Sequence, residues 1–219
     1  MRNPADRLTL YGERNVPSRE PAGVDEAAFD EVLRDAITAV EADGLPYLLM
    51  GGIASGMLGR PRWTHDVDLL VKPEHAAPVL QTLARAGFTT EETDPVWLYK
   101  AFKRAVLVDI IFYGEGGIYL DEEMLRHSLV REFKGLPVRI ASPEDLIVIK
   151  AIVHKEETSR HWFDALAILS RSDIDWDYLL HRARRGARRV LSLLIYAQSR
   201  DILVPTWVVR RLYQTTCEA

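Results

Sequence analysis

The sequence predicts an α+β fold: a mixed β-sheet with flanking helices, followed by a C-terminal helical region. Three observations carry this expectation. Short apolar runs bounded by glycine and other turn residues recur between Tyr47 and Ile140, as strands do. Segments of helical spacing stand before and between them. From Ser142 onward the spacing is helical almost throughout, which sets the helices of the second half apart from the sheet. The expected organisation is a polar arm over 1–24, a sheet-bearing domain over 25–141 and a helical region over 142–219.

Pro4, Pro17 and Pro21 interrupt the polar first two dozen residues, so no packed element is expected there. Asp25 then reads as an N-cap, with Phe29, Leu33, Ile37 and Val40 at helical spacing and Gly44 as the stop. Tyr47–Met50 is the first expected strand. After Gly51 and Gly52 a short helix is expected over Ile53–Leu58, then a strand over Asp66–Val71 and a helix over Glu74–Ala86 ending at Gly87. Val96–Lys103 and Ala105–Phe112 are close enough to pair as a hairpin. A short helix over Asp121–Arg126 precedes a second hairpin, Leu129–Phe133 with Val138–Ile140 around Lys134 and Gly135. Ser142 followed by Pro143, Glu144 and Asp145 is a helix start. Helices are expected over Pro143–His154, Ser159–Leu169, Trp176–Arg185, Arg188–Gln198 and Thr206–Tyr213, with Trp162, Trp176 and Trp207 as packing residues.

Composition narrows the function classes. The 219 residues, 47% hydrophobic and 27% charged, suit one large globular domain or a domain with an appendage. A formal net charge of −4 gives no global attraction to nucleic acid or to an anionic membrane. The single cysteine, Cys217, leaves no intramolecular disulfide framework. No apolar run is long enough for a bilayer and the N-terminus lacks an apolar signal core, so a cytoplasmic protein without a membrane partner is expected.

The chemistry concentrates in LMGGIASGMLGRPRWTHDVDLLV, residues 49–71. Asp66 and Asp68 alternate with Val67 and Leu69, and strand periodicity sends both carboxylates to one face. Two such charges repel unless a cation lies between them. A hard divalent ion prefers carboxylate oxygen and leaves positions open for phosphates. The Gly51-Gly52 break lets the backbone approach a phosphate closely. A two-metal site needs a further acid, and Asp109 is the only charge in the run Val106–Phe112. On a neighbouring strand it would complete a set holding two Mg²⁺ ions, with Mn²⁺ as a substitute.

Gly51-Gly52, a thirteen-residue gap, Asp66-Val67-Asp68-Leu69 and the later Asp109 resemble the nucleotidyltransferase superfamily typified by DNA polymerase β. The stretch Arg62-x-Thr64-x-Asp66-x-Asp68 resembles its small prokaryotic members, which include aminoglycoside nucleotidyltransferases, minimal nucleotidyltransferases with helical partner proteins, and abortive-infection toxins. The resemblance covers about Tyr47 to Phe112 and, more loosely, Pro143-Glu144-Asp145-Leu146 with Lys150, Arg160 and Asp164. It implies a nucleotidyltransferase-fold sheet and attack of an acceptor hydroxyl on the α-phosphate of a nucleoside triphosphate such as ATP, with pyrophosphate leaving.

Asp66, Asp68 and Asp109 would then be the catalytic metal ligands. Gly51, Gly52, Ser55, Arg62 and Lys150 would bind the nucleotide, Thr64 would brace the metal strand, and Arg160 and Asp164 would border the site. Arg160 and Asp164 also stand at the spacing of an i,i+4 ion pair, and His65 is expected to point away from Asp66. Many members carry Gly-Ser at the turn; this chain has Gly-Gly, with Ser55 as its first hydroxyl.

The acceptor the resemblance implies is tRNA or a partner protein, with an antitoxin as companion, or a small hydroxylated molecule of the aminoglycoside kind. A catalytically silent nucleotide-binding module is the alternative from another class. The densest positive run, from Arg182 to Arg189, reads as a solvated helix face and less strongly as a phosphate-tracking surface.

Overall fold

The computed structural model describes residues 25–217, and the arm expected over 1–24 lies outside the described residues. Asp25 caps the first helix, α1 (Glu26–Ala42), its carboxylate accepting from the Ala27 N–H. Phe29, Val32, Leu33, Ala36, Ile37 and Val40 form the buried face of α1. Strand β1 (Tyr47–Leu49) is buried throughout. Helix α2 begins at Gly51, two residues earlier than expected, and runs to Leu58. Strand β2 (Asp66–Val71) is followed by α3 (Ala76–Arg85), β3 (Thr89–Asp94), β4 (Leu98–Lys103) and β5 (Val106–Ile111). Helix α4 (Glu122–His127), capped by Asp121, leads into the β6–β7 hairpin, Leu129–Phe133 with Leu136–Ile140.

The seven strands form one mixed sheet in the order β3-β4-β5-β2-β1-β7-β6. Strand β2 lies at its centre, antiparallel to β1 and parallel to β5, in a register that sets Asp68 opposite Asp109. Strands β4 and β5 are antiparallel and set Lys100 opposite Asp109. Their connection uses Arg104 and Ala105 at φ 48 and 64, the doubly left-handed turn that matches strand twist. Strand β3 was not expected. Its sequence, Thr-Thr-Glu-Glu-Thr-Asp, buries no residue fully, and it is held as the outermost strand by backbone pairing to β4.

Five helices follow: α5 (Pro143–Val153), α6 (Arg160–Arg171), α7 (Trp176–Ala183), α8 (Ala187–Gln198) and α9 (Thr206–Cys217). Trp162 and Trp176 pack against the core as expected. Trp207 does not: it is 46% exposed, because Val208 and Leu212 supply the buried face of α9. No helix among the described residues is long and apolar enough to cross a membrane.

Helix α5 is buried from Pro143 to Ile152, and that includes Glu144, Asp145 and Lys150. Buried charge has to be paired. Asp145 is met by the Ser142 and Tyr178 hydroxyls at 3.0 and 2.9 Å and by Arg182 Nε at 2.8 Å. Arg182 also reaches Asp121 at 2.7 Å, so α5, α7 and the cap of α4 are tied together in one network. This spends much of the Arg-rich run. Arg182 is 4% exposed, Arg185 donates to the Gly117 carbonyl, and Arg189 donates to the His154 carbonyl at 3.1 Å.

Candidate active site

The site grows from the end of β1. Met50 N–H donates to the Asp68 backbone carbonyl at 3.0 Å, which extends the β1–β2 pairing by one residue before the chain turns into α2. Gly51 takes φ +58, and a Cβ there would lie 1.7 Å from Asp68 Oδ2. The turn therefore packs its backbone directly on the Asp68 carboxylate, which only glycine permits. The N-cap residue of α2, Met50, offers no side-chain cap, and the Gly52 N–H of its first turn is drawn to the Asp68 carboxylate.

Gly52 has its own steric cause. A Cβ there would meet Thr64 Oγ1 at 2.4 Å and Thr64 Cβ at 2.7 Å. Thr64 fills the room that a serine at this turn would need, which accounts for Gly-Gly in this chain. Its hydroxyl donates to Asp66 Oδ1 at 2.6 Å and fixes that carboxylate.

Alternation along β2 buries Val67 and Leu69 and turns Asp66 and Asp68 to the same partly open face. On β5, Asp109 stands between Val108 and Ile110, both fully buried, and faces the same way. One carboxylate oxygen from each of Asp66, Asp68 and Asp109 lies within 4.8 Å of the others. Among the described residues Asp109 Oδ1 is buried with no hydrogen-bond donor, its nearest cation being Lys100 Nζ at 3.7 Å. Burial, then the charges of Asp66 and Asp109, push the Asp68 carboxyl up to about 7, against the pull of Lys150 and the Gly52 N–H. Burial, opposed by Lys100 and reinforced by Asp66, raises Asp109 to about 6. Crowded acids with an unfilled acceptor are the donor set that a hard divalent cation satisfies.

The second cluster is cationic. Asp164, on α6, receives Arg62 through Nε and an Nη at 3.2 Å each, and Lys150 Nζ at 2.9 Å. Lys150 is 3% exposed, so it is no surface lysine, and burial lowers its pKa against the pull of Asp164. Burial works to raise the Asp164 carboxyl, but Lys150 and Arg62 together hold it below its ordinary range. Arg62 lies beside the glycine turn, 3.3 Å from where a Gly52 Cβ would be. The hydrogen bonds of Arg171 and Ser172 to the Gly59 and Leu58 carbonyls, 2.8 and 3.0 Å, hold α6 against the end of α2.

Two expectations change here. Asp164 pairs with Lys150 and Arg62, not with Arg160, which is exposed at the first turn of α6. Arg62 and Lys150 take both Asp164 oxygens, so Arg160, one turn earlier on the same face and at the open start of α6, is left without the carboxylate. Ser55 is at the turn but 1% exposed, and its hydroxyl donates to Gly51 O at 2.6 Å, so it braces α2 and has no free proton for a phosphate. His65 is exposed and outside the acid cluster, as expected.

Lys100 is the residue that sequence reasoning missed. Its Nζ lies 3.7 Å from Asp109 Oδ1. Only the β4–β5 register brings it there, and no local motif marks it.

No protein of curated function matches the chain by sequence. Among solved structures, the chain is similar to an antigenic nucleotidyltransferase-like protein from Paracoccidioides brasiliensis, at 15% identity and a TM-score of 0.52 over 86% of this chain and 95% of that one. It is also similar to the antibiotic-resistance factor ANT(2'')-Ia, at 18% identity and a TM-score of 0.51 over 81% of this chain and 95% of that one. At such identities the likeness is one of fold: a nucleotidyltransferase-type sheet with helices behind it. Residues 29–193 match the model of a family described as nucleotidyl transferase of unknown function (DUF2204), and with most of its length inside that match the chain belongs to this nucleotidyltransferase family.

Proposed function

We propose that this nucleotidyltransferase moves a nucleoside monophosphate from a nucleoside triphosphate to an acceptor hydroxyl, in a Mg²⁺-dependent reaction that releases pyrophosphate. The observation that carries this reading is the convergence of Asp66, Asp68 and Asp109 beside an uncapped helix N-terminus. The donor set fits hard cations, since it is all carboxylate and Asp109 Oδ1 has no donor of its own. Asp66, Asp68 and Asp109 would hold two Mg²⁺ ions, or Mn²⁺ in their place; when bound, the metal neutralises phosphate charge and acidifies the attacking hydroxyl.

The protein's own groups do the positioning. The N–H groups of the first turn of α2 that Asp68 leaves free would meet a β- or γ-phosphate, and the helix dipole favours the negative charge there. Arg62 and Lys150 bring positive charge to the same side of the site, and Asp164 holds both in place. Thr64 keeps the Asp66 carboxylate in one rotamer. Asp109, on the strand farther from the turn, would be the acid nearest an incoming acceptor, and its Oδ1, ion-paired to Lys100 at 3.7 Å but without a hydrogen-bond donor, would take the hydroxyl proton. In this division residues 25–141 supply the acids and the turn, and the helices from 142 onward supply Lys150 and Asp164.

Purified protein incubated with Mg²⁺, each of four α-labelled nucleoside triphosphates and, in turn, total tRNA, cell-lysate protein and an aminoglycoside tests the reading. Label is expected on one acceptor class, and EDTA should abolish it. Absence of transfer from every triphosphate to every acceptor would overturn the proposal.

A further inference from the structure

The face that carries the acids continues outward past Asp109. In register, Asp109 on β5 is opposite Lys100 on β4, and Lys100 is opposite Glu91 on β3. The glycine turn, Arg62 and Lys150 all stand on the other side, around Asp68 and α2. A triphosphate held there leaves the β5–β4 side for the acceptor. Resting on the reading above, we propose that Lys100 selects an acceptor whose reactive hydroxyl lies close to a phosphate, with Phe102 supporting the adjoining sugar or base.

The reason is charge balance. Lys100 has Asp109 as its one ion-pair partner among the described residues, at a distance too long for a hydrogen bond. Its side chain is 20% exposed, so the ammonium reaches the open face and is not sealed into the core. Once Asp109 serves a divalent cation, that cation and the ammonium compete for one carboxylate and repel each other. An anionic group on the acceptor relieves the conflict and gives Lys100 a full charge-assisted partner. A polycationic acceptor would add positive charge where two cations already stand.

Phe102 supplies the second half of the arrangement. It lies two residues along β4, on the same face as Lys100, opposite Leu107 and 36% exposed. A cation and an open aromatic ring on one strand face suit a phosphate joined to a ring, as in a nucleotide.

The test compares the wild type with Lys100→Gln, Lys100→Glu and Lys100→Arg, in Mg²⁺ with labelled triphosphates. The acceptor probes are adenosine, adenosine 5′-monophosphate, an RNA trinucleotide with a free 3′-hydroxyl, and kanamycin. The wild type is expected to favour a phosphate-bearing probe over adenosine by about tenfold in kcat/KM, and the monophosphate and trinucleotide arms show which form is used. Lys100→Gln should erase that preference through the acceptor KM, Lys100→Glu should reverse it, and Lys100→Arg should keep it, with the triphosphate KM steady in all three. Equal use of adenosine, preference for kanamycin, or an unchanged preference in Lys100→Gln would overturn the assignment. Thermal shift with Mg²⁺ and a non-hydrolysable triphosphate separates the two levels. Stabilisation without labelling of any phosphate-bearing probe removes only the role of Lys100; neither stabilisation nor transfer removes the nucleotidyl-transfer reading with it.

Discussion

Replacing Asp68 by Asn is expected to cut transfer by at least about a thousandfold while raising the unfolding temperature of the metal-free protein. The two effects share one cause. Asp68 is pressed between the Gly51 backbone and two other acids, and its burial and their charges push its carboxyl up to about 7. Held ionised where the pull of Lys150 and the Gly52 N–H is outweighed by burial and the neighbouring acids, it opposes folding; an amide of the same shape removes the repulsion. A gain of roughly 2–4 °C corresponds to about 1 kcal/mol in a chain of this size. Thermal melts in EDTA, beside transfer assays in Mg²⁺, check both halves. If the acid were a structural anchor, Asp68→Asn would lower the melting temperature, and that outcome contradicts the reading.

Gly51→Ala is expected to damage both stability and activity, and far more than a left-handed glycine alone explains. The new methyl would fall within bonding distance of Asp68 Oδ2 and 3.0 Å from Asp68 Cβ, so the carboxylate must leave its place or the turn must open. Either way the acid set is broken. A loss of about 2–4 kcal/mol is expected from the combined backbone strain and clash, together with loss of transfer. Gly44→Ala is the internal control. Gly44 has φ +67 but nothing within 4 Å of its would-be Cβ, so the change should cost about 1 kcal/mol and leave transfer intact. Similar losses of activity in both variants would show that the close approach at Gly51 has no special role.

What could be read beforehand follows from the range of each signal. The carboxylates on β2 were legible because strand alternation is local, and Asp109 because a lone charge in an apolar run breaks β-propensity. Ser142 was legible as a cap for the same reason: its partner, the Asp145 N–H, is three residues away. The Arg62–Asp164 pair joins residues 102 positions apart and depends on α6 docking against α2, which no window of sequence contains. The i,i+4 rule offered Arg160 in its place, and tertiary packing overruled it. Lys100 needed the β4–β5 register, and β3 was hidden because an edge strand held by backbone bonds needs no apolar pattern. The Arg-rich run misled toward the surface because the charge it answers, Asp145, lies buried on another helix.

Manganese anomalous scattering from crystals soaked with Mn²⁺ and a non-hydrolysable triphosphate tests the central claim most directly. Peaks are expected within about 2.0–2.6 Å of oxygens from Asp66, Asp68 and Asp109 together, with the phosphates reaching toward the start of α2. Manganese bound away from these acids, or held with Asp109 turned aside, would contradict it.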